Sequence, residues 1–415
     1  MSLPGCDDLP PGTLTVEQAL ESIQTQVDKV TGIERIAIRD ALDRVLAETI
    51  AAPLDVPPHR NSAMDGYALR ADDLPESGEV TLTVIGKSFA GTPFTNTVNH
   101  GQCVRIMTGA VVPDGADTVV MQEQVRLDHD QIILIPGHRQ GQNIRYPGED
   151  MKRGDDVLTS GRLLNAADIG LLASLGIAEV SVVRKPRVVF FSTGDELKGI
   201  GETLNEGEIY DSNRYTLHAL LSKMNVEMID QGVIPDDHNA IRDAFRNAAE
   251  LGDMVITSGG VSVGEADFIK QTLDELGEVG FWKIAMKPGK PLAFGQLGKA
   301  WFFGLPGNPV SVMATFTLFV RPALQIMKGS EMESPLSLQA TLDTDIQKTP
   351  GRRDYQRGIL TNDADSRLVV TTTGLQGSHV LSSMSKANCF IVIPRESGSV
   401  AKGEKVEVIP FMGMI

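Results

Sequence analysis

The chain has 415 residues, more than one hydrophobic core ordinarily serves, so several domains are expected. Its 41% hydrophobic and 22% charged content is that of a globular chain, and a net charge of -16 disfavours nucleic acid, whose binders carry the opposite sign. No apolar run reaches the roughly 20 residues of a membrane helix, and the acid- and proline-bearing start lacks the basic-then-apolar order of a signal peptide; a cytoplasmic protein without membrane contact is expected.

In chain order, Thr15-Val-Glu-Gln18 reads as a capping box that opens a helix with Ala19, Leu20, Ile23 and Val27 on one face. A second helix is predicted over 37–47, after which Pro53, Pro57 and Pro58 break the pattern. Strands are predicted at 80–85, 102–107, 118–122 and 131–135, then a helix at 163–175 and a strand at 179–183. A compact β domain over 53–153 is thus expected, inserted into a helical and mixed linking domain made of 1–52 and 154–184.

From Lys185 strands and helices alternate. Strands are predicted at 187–192, 226–233, 253–258, 291–294 and 300–303, and helices at 213–223, 238–250, 268–276 and 310–327. This is the signature of a doubly wound α/β domain, placed at 185–332, which binds ligands outside the carboxyl ends of its strands. Strands predicted at 339–345, 356–360, 367–371, 389–393 and 405–409 make a barrel-like C-terminal β domain of 333–415. The fold class is therefore multidomain α/β plus β. Cys6, Cys103 and Cys389, odd in number and far apart, suit neither a disulfide framework nor a zinc knuckle.

Charge is segregated. Residues 195–278 hold 18 acids and 6 bases, whereas 279–330 hold no acid and 6 bases, among them Lys283, Lys287 and Lys290. A buried core explains an acid-poor window; so does an anion site beside carboxylates, which suits an anionic ligand bridged by a divalent cation. Three loops fall at predicted strand ends: Ser192-Thr-Gly194-Asp-Glu196, Ser258-Gly259-Gly260-Val-Ser262 running on to Asp267, and Gly304-Leu-Pro306-Gly-Asn308-Pro309. Their glycines let backbone N–H groups approach a ligand, and a following helix start favours phosphate. G-x-G-x-x-G, a complete P-loop and H-E-x-x-H are all missing, and no Ser or Cys nucleophile has a recognisable partner. Metal-assisted electrostatic catalysis is favoured over covalent catalysis. In the inserted domain, Asn61–Tyr67 with Asp65, the stretch 105–110 with Thr108, and 146–150 with Asp150 each read, taken alone, as turns with capping acids.

In order, the segments 61–67, 107–110, 147–150, 192–196, 258–267, 287–291 and 305–309 resemble motifs of the MoeA-type molybdenumtransferases. So do Gln356-Arg357-Gly358 and Gly377-Ser378-His379, so that the resemblance covers almost the whole chain beyond Pro11. It implies that adenylylated molybdopterin and molybdate become molybdenum cofactor and AMP, with Mg²⁺ or another divalent cation. It further implies a homodimer of four-domain subunits. The site would lie between the α/β molybdopterin-binding domain of one subunit and the inserted β domain of the other. Carried over by position, Asp65, Thr108, Asp150, Glu196, Asp236, Asp267, Lys283, Lys287, Arg357 and Ser378 become site residues, with Pro306 and Pro309 shaping their loop. Glu196 and Asp267 are the expected metal ligands. A molybdopterin adenylyltransferase and molybdoenzymes are the expected partners up- and downstream. The rival readings are the preceding adenylyltransferase step, which the additional domains argue against, and a non-catalytic scaffold like the related gephyrin C-terminal region.

Overall fold

The structure is a computed structural model that describes residues 12–259, 267–330, 334–412 and 414–415, with the backbone alone at 267–271 and 281. Its contacts divide the chain into two units, Met1–Arg35 with Asp43–Ala47 and Ser181–Ile415, and Ile36–Leu42 with Glu48–Val180.

The first unit is built on a seven-stranded sheet in the order Thr13–Leu14, Gly277–Ile284, Pro291–Leu297, Ala300–Leu305, Met254–Ser258, Arg187–Thr193, Glu227–Ile234. The last four strands are mutually parallel. Val188 and Phe190 face one side and Val189 and Phe191 the other, and all four are fully buried. Such a central strand reads as a continuous apolar run because helices cover both faces. Helices Ser212–Lys223 and Pro309–Met327 lie on the first face, through Leu217 and Leu324. Helix His238–Leu251 lies on the second, through Ile241 and Phe245, as does Leu273 of Asp267–Leu276. The chain leaves Arg187–Thr193 first to one side and then to the other, so strand order reverses between Arg187–Thr193 and Met254–Ser258. This is where doubly wound sheets take their ligands.

Helix Pro309–Met327 is long and apolar enough to cross a membrane, yet 89% of its most apolar window is buried inside the fold, as a core helix requires. It runs from Pro309–Thr315 through a π turn at Phe316–Val320 to Arg321–Met327.

The C-terminal strands Arg353–Asn362, Leu368–Thr372, Leu338–Leu342, Lys405–Pro410 and Cys389–Ile393 pair in that order, and the last pairs back to the first, which closes a small barrel. Ala340, Val370, Ile391 and Val408 fill it. Met286–Lys287 adds a parallel strand beside Arg353 and Asp354.

The second unit holds a six-stranded sheet in the order Thr118–Met121, Gly66–Leu69, Gln102–Ile106, Val80–Ser88, Gln131–Leu134, Arg126–Asp128. Cys103 here, like Cys389 in the barrel, is free and buried. Helix Ala166–Ser174 belongs to this unit too, opened by Asn165 and Asp168 in a reciprocal capping box.

Three expectations differ from what is observed. The predicted linking segments are divided between the units: Thr13–Leu14 joins the seven-stranded sheet, and Ala19 and Ile23 of helix Val16–Gln26 enter its core, whereas 154–180 goes with the β unit. The helix predicted at 37–47 is a single 3₁₀ turn, Ile38–Asp40. Asp43 turns left-handed there, at φ 58°, and Arg44 is drawn to Glu34 and the Val183 carbonyl, so tertiary contacts override a helix-prone composition. The third is an omission: no element is predicted over 277–284, where the structure has strand Gly277–Ile284. Its glycines signal breaks in a sequence, but a Cβ on Gly277 would lie 1.9 Å from the Gln296 carbonyl oxygen, so close strand pairing demands them.

Candidate active site

The carboxyl ends of the parallel strands open into a cavity of about 1070 Å³, whose far wall is the barrel loop Gln376–His379. Two glycines set the strand ends. Gly194 sits at φ 143°, and a Cβ there would meet the Glu196 carboxylate at 2.5 Å. Gly259 sits at φ 96°, and its Cβ would lie 2.9 Å from the Thr193 carbonyl oxygen. The positive φ favours glycine at both positions, and at Gly259 only a residue without a side chain lets the strand end close on the Thr193 carbonyl. The Gly259 N–H donates to the Leu305 carbonyl at 3.2 Å, which brings the third loop alongside. The Val310 N–H, in the first turn of the long helix, donates to the Ser378 carbonyl at 3.1 Å. The barrel loop is therefore fastened to a helix start, which carries partial positive charge.

Charge in the cavity is mixed. Lys287, Lys290 and Arg352 line it, and none of the three has an ion-pair partner among the described residues. Glu196 and Asp236 line the same space, with the Asp236 N–H donating to the Asp195 carboxylate at 3.1 Å. Cations and hard carboxylate oxygens thus share one chamber large enough for a nucleotide-sized ligand.

Of the residues singled out in the sequence, Gly194, Glu196 and Asp236 line this cavity, as do Gly259, Lys287 and Lys290, and Pro306, Asn308 and Ser378. Ser192 and Ser258 lie beneath it, paired across neighbouring strands and buried. Pro309 opens the long helix behind Asn308, at the position where a missing N–H costs nothing. Lys283 does not line the cavity: it stands exposed on strand Gly277–Ile284, opposite Pro291. Arg357 is only 1% exposed, and its guanidinium donates to Ser383 Oγ at 2.9 Å and to the carbonyls of Gly377 at 3.0 Å and Leu375 at 3.5 Å. It holds the barrel loop from behind and does not present its charge to the chamber. Gly260, Ser262 and the side chain of Asp267 lie outside the described residues, and with them the pairing of Glu196 with Asp267 on a metal. Among the described residues no group of three or more His, Cys, Asp or Glu side chains converges.

The sequence reading passed over Thr193, Ser311, Arg352 and Gln376, all of which line the cavity. Arg352 carried a faint signal, as a basic residue beside Gly351 just ahead of a strand. Gln376 carried none: its amide accepts from the Arg357 N–H at 2.8 Å and donates to the Arg357 carbonyl at 3.1 Å, a pairing set by barrel closure.

In the second unit the structure brings Asp65 and Thr108 together. Asp65 Oδ1 accepts the Thr108 N–H at 2.7 Å and the Thr108 hydroxyl at 2.8 Å. Asp150 lies on an exposed turn, its N–H donating to the Val56 carbonyl at 3.0 Å. The backbone N–H of Thr108, then its hydroxyl, hold the Asp65 carboxyl below the ordinary aspartate range. A depressed carboxylate contributes stability above the ordinary aspartate pKa and loses it as pH falls through the lowered value. Thr108→Val keeps the backbone donor and removes the hydroxyl, so the Asp65 pKa should rise toward the ordinary aspartate value, and that loss should be smaller and complete at higher pH. A carboxyl-carbon NMR titration of the two proteins checks this; an unmoved Asp65 would remove the hydroxyl from the account.

Comparison with known proteins bears on the whole chain. Residues 14–176 match the family described as MoeA N-terminal region (domain I and II). Residues 190–326 match the family described as probable molybdopterin binding domain, and 339–411 that described as MoeA C-terminal region (domain IV). A Haemophilus influenzae protein named molybdopterin molybdenumtransferase is 47% identical over 96% of this chain and 98% of its own length. A Dictyostelium discoideum protein named gephyrin is 34% identical over 95% of this chain and 62% of its own length. The crystal structure of a molybdopterin biosynthesis MoeA protein from Pyrococcus horikoshii superposes with a TM-score of 0.84 at 32% identity, over 96% of this chain and 100% of that one.

Proposed function

Since the chain belongs to the MoeA family of molybdopterin molybdenumtransferases, we propose that its cavity is where molybdenum from molybdate enters adenylylated molybdopterin, with release of AMP. The observation that carries this reading is one chamber holding three cations, Lys287, Lys290 and Arg352, with two carboxylates, Glu196 and Asp236. Molybdate is a dianion, and the pterin nucleotide carries a charged phosphate bridge. Bringing two anions together in one site needs positive charge, which the three cations supply. The strand-end glycines at 194 and 259 let backbone approach the ligand, and Asn308 with Ser378 adds polar groups from two further elements.

A divalent cation of the Mg²⁺ class fits the donor chemistry. Such ions take one or two protein carboxylates and complete their shell with phosphate oxygens and water, so a cage of three or more acids is not required. Glu196 would hold it, with Asp267 as the expected second ligand and Asp236 in the same chamber. When bound it would neutralise charge on the phosphate bridge. The protein's own residues would hold the bridge in the chamber that Glu196 and the cations line together.

The test is AMP release from purified protein given adenylylated molybdopterin and Mg²⁺, with and without molybdate. Release that depends on molybdate supports the reading, and neither release nor binding would sink it.

Asp65, Thr108 and Asp150 belong to the second unit, and we assign them to a site shared across a homodimer, Asp65 of one subunit serving the cavity of the other. Asp65→Asn and Glu196→Gln proteins, each inactive alone, should then complement on mixing. Half of randomly reassociated dimers are mixed and each has one intact site, so recovery to about a quarter of wild-type activity is expected for a two-fold dimer. No recovery from subunits shown to exchange would place Asp65 and Glu196 in the same subunit's site.

A further inference from the structure

We infer that Asn213 is a positioning residue for the cavity floor, its side-chain amide clamping together two of the loops that face the ligand; this rests on the reading of the cavity as the pterin nucleotide's site. Asn213 is the second residue of helix Ser212–Lys223, and the start of that helix is itself immobilised. The carboxylate of buried Asp211 caps it by accepting the Arg214 N–H at 3.1 Å. The Arg214 side chain pairs with Asp211 at 3.3 Å and with Asp230 at 2.9 Å. From this anchored base Asn213 Nδ2 donates to Ser258 Oγ at 2.8 Å and to the Gly307 carbonyl at 2.7 Å. A carbonyl can only accept, so the nitrogen of the amide must be the atom on that side.

The two acceptors belong to different loops. Ser258 ends its strand immediately before Gly259, and Gly307 lies between Pro306 and Asn308; Gly259, Pro306, Gly307 and Asn308 all line the cavity. These loops already touch, for a Cβ on Gly307 would stand 3.9 Å from the Gly259 Cα. Among the described residues no other side-chain hydrogen bond joins them. Beyond the strand pairing that ends at Ser258 opposite Leu305, one backbone bond, Gly259 N–H to Leu305 carbonyl, and one side chain, Asn213, therefore tie the loops together. A displacement of about 1 Å in groups that seat a substrate is enough to cost up to a hundredfold in turnover.

The experiment measures steady-state AMP release and, separately, calorimetric binding of AMP, the expected product, for five proteins: wild type, Asn213→Ala, Asn213→Asp, Ser258→Ala and the double variant Asn213→Ala with Ser258→Ala. Asn213→Ala should lower kcat/KM for the pterin nucleotide about ten- to hundredfold and weaken AMP binding, with half-saturation by molybdate nearly unmoved. Ser258→Ala should be milder, because the tie to Gly307 survives, and should add nothing in the Asn213→Ala background. Asn213→Asp keeps the size and the helix start but sets an oxygen against the Gly307 carbonyl. It should lose as much, and it decides the matter if the alanine variant fails to fold. Activity and AMP binding within about twofold of wild type in either folded Asn213 variant, or effects of Asn213→Ala and Ser258→Ala that simply multiply, would overturn the inference. Wild-type protein that neither binds AMP nor releases it would instead overturn the reading of the cavity itself.

Discussion

Glu196→Gln is expected to reduce molybdate-dependent AMP release by about two to three orders of magnitude while leaving the melting temperature in place. The amide has the shape of the carboxylate, so no packing is lost. Glu196 is an exposed residue at the mouth of the strand Arg187–Thr193, and its backbone carbonyl accepts the Ile209 N–H at 2.8 Å whichever side chain is present. What changes is charge in a chamber that Lys287, Lys290 and Arg352 also line. Binding of the anionic substrate should hold or tighten, since one repelling carboxylate is gone, and the deficit should fall on turnover. The assay is AMP release across a Mg²⁺ series. Full activity of the variant at limiting Mg²⁺ would show that Glu196 neither holds the cation nor supports bridge cleavage.

The second large effect is on stability. Arg357→Leu should lower the unfolding free energy of the barrel region by about 2–4 kcal/mol, because three acceptors lose a charged donor. Ser383 Oγ and the carbonyls of Gly377 and Leu375 all turn toward the guanidinium. Burial pulls the Arg357 pKa down to about 10, still far above neutrality, so the group is charged in the fold. Arg357→Lys should recover only part of the loss, since an ammonium lacks the planar fork that reaches Ser383 and Gly377 together. Urea unfolding read by the barrel's own signal measures this. A leucine variant as stable as wild type would mean that the loop Gln376–His379 is held by other means.

The alternation from Lys185 onward was legible because strands buried on both faces have few spellings: Val-Val-Phe-Phe and Met-Val-Ile-Thr admit little else between helices of ordinary length. The capping boxes at Thr15 and Asn165 are local chemistry, and the first was readable for that reason. The stretch 37–47 was not, because Asp43 adopts its left-handed turn for contacts made by Arg44 far along the chain. Two arginines show the same limit at the site. Arg352 and Arg357 stand five residues apart and are chemically alike, but one lines the cavity and the other is sealed behind it. The distinction arises from barrel closure, when Cys389–Ile393 returns to Arg353–Asn362, and no local pattern encodes that return. Likewise, the acidic and basic windows were visible as windows. Only the fold shows that Lys287 and Lys290 share a chamber with Glu196 and Asp236, whereas Lys283, from the same cluster, points its charge elsewhere.

The short strand Met286–Lys287 ties distant parts of the chain together. It belongs by sequence to the α/β region but hydrogen-bonds within the barrel sheet, with the Arg353 N–H donating to the Ala285 carbonyl at 2.8 Å, and the Ala285 N–H donating in turn to the Leu14 carbonyl at 2.8 Å. Three stretches of chain nearly 340 residues apart are thereby laced through one point. A polypeptide nicked after Ser330 should stay in one piece without denaturant, and a barrel exchanged between relatives must fit a strand it does not encode. The last fifth of the chain is therefore not a detachable module.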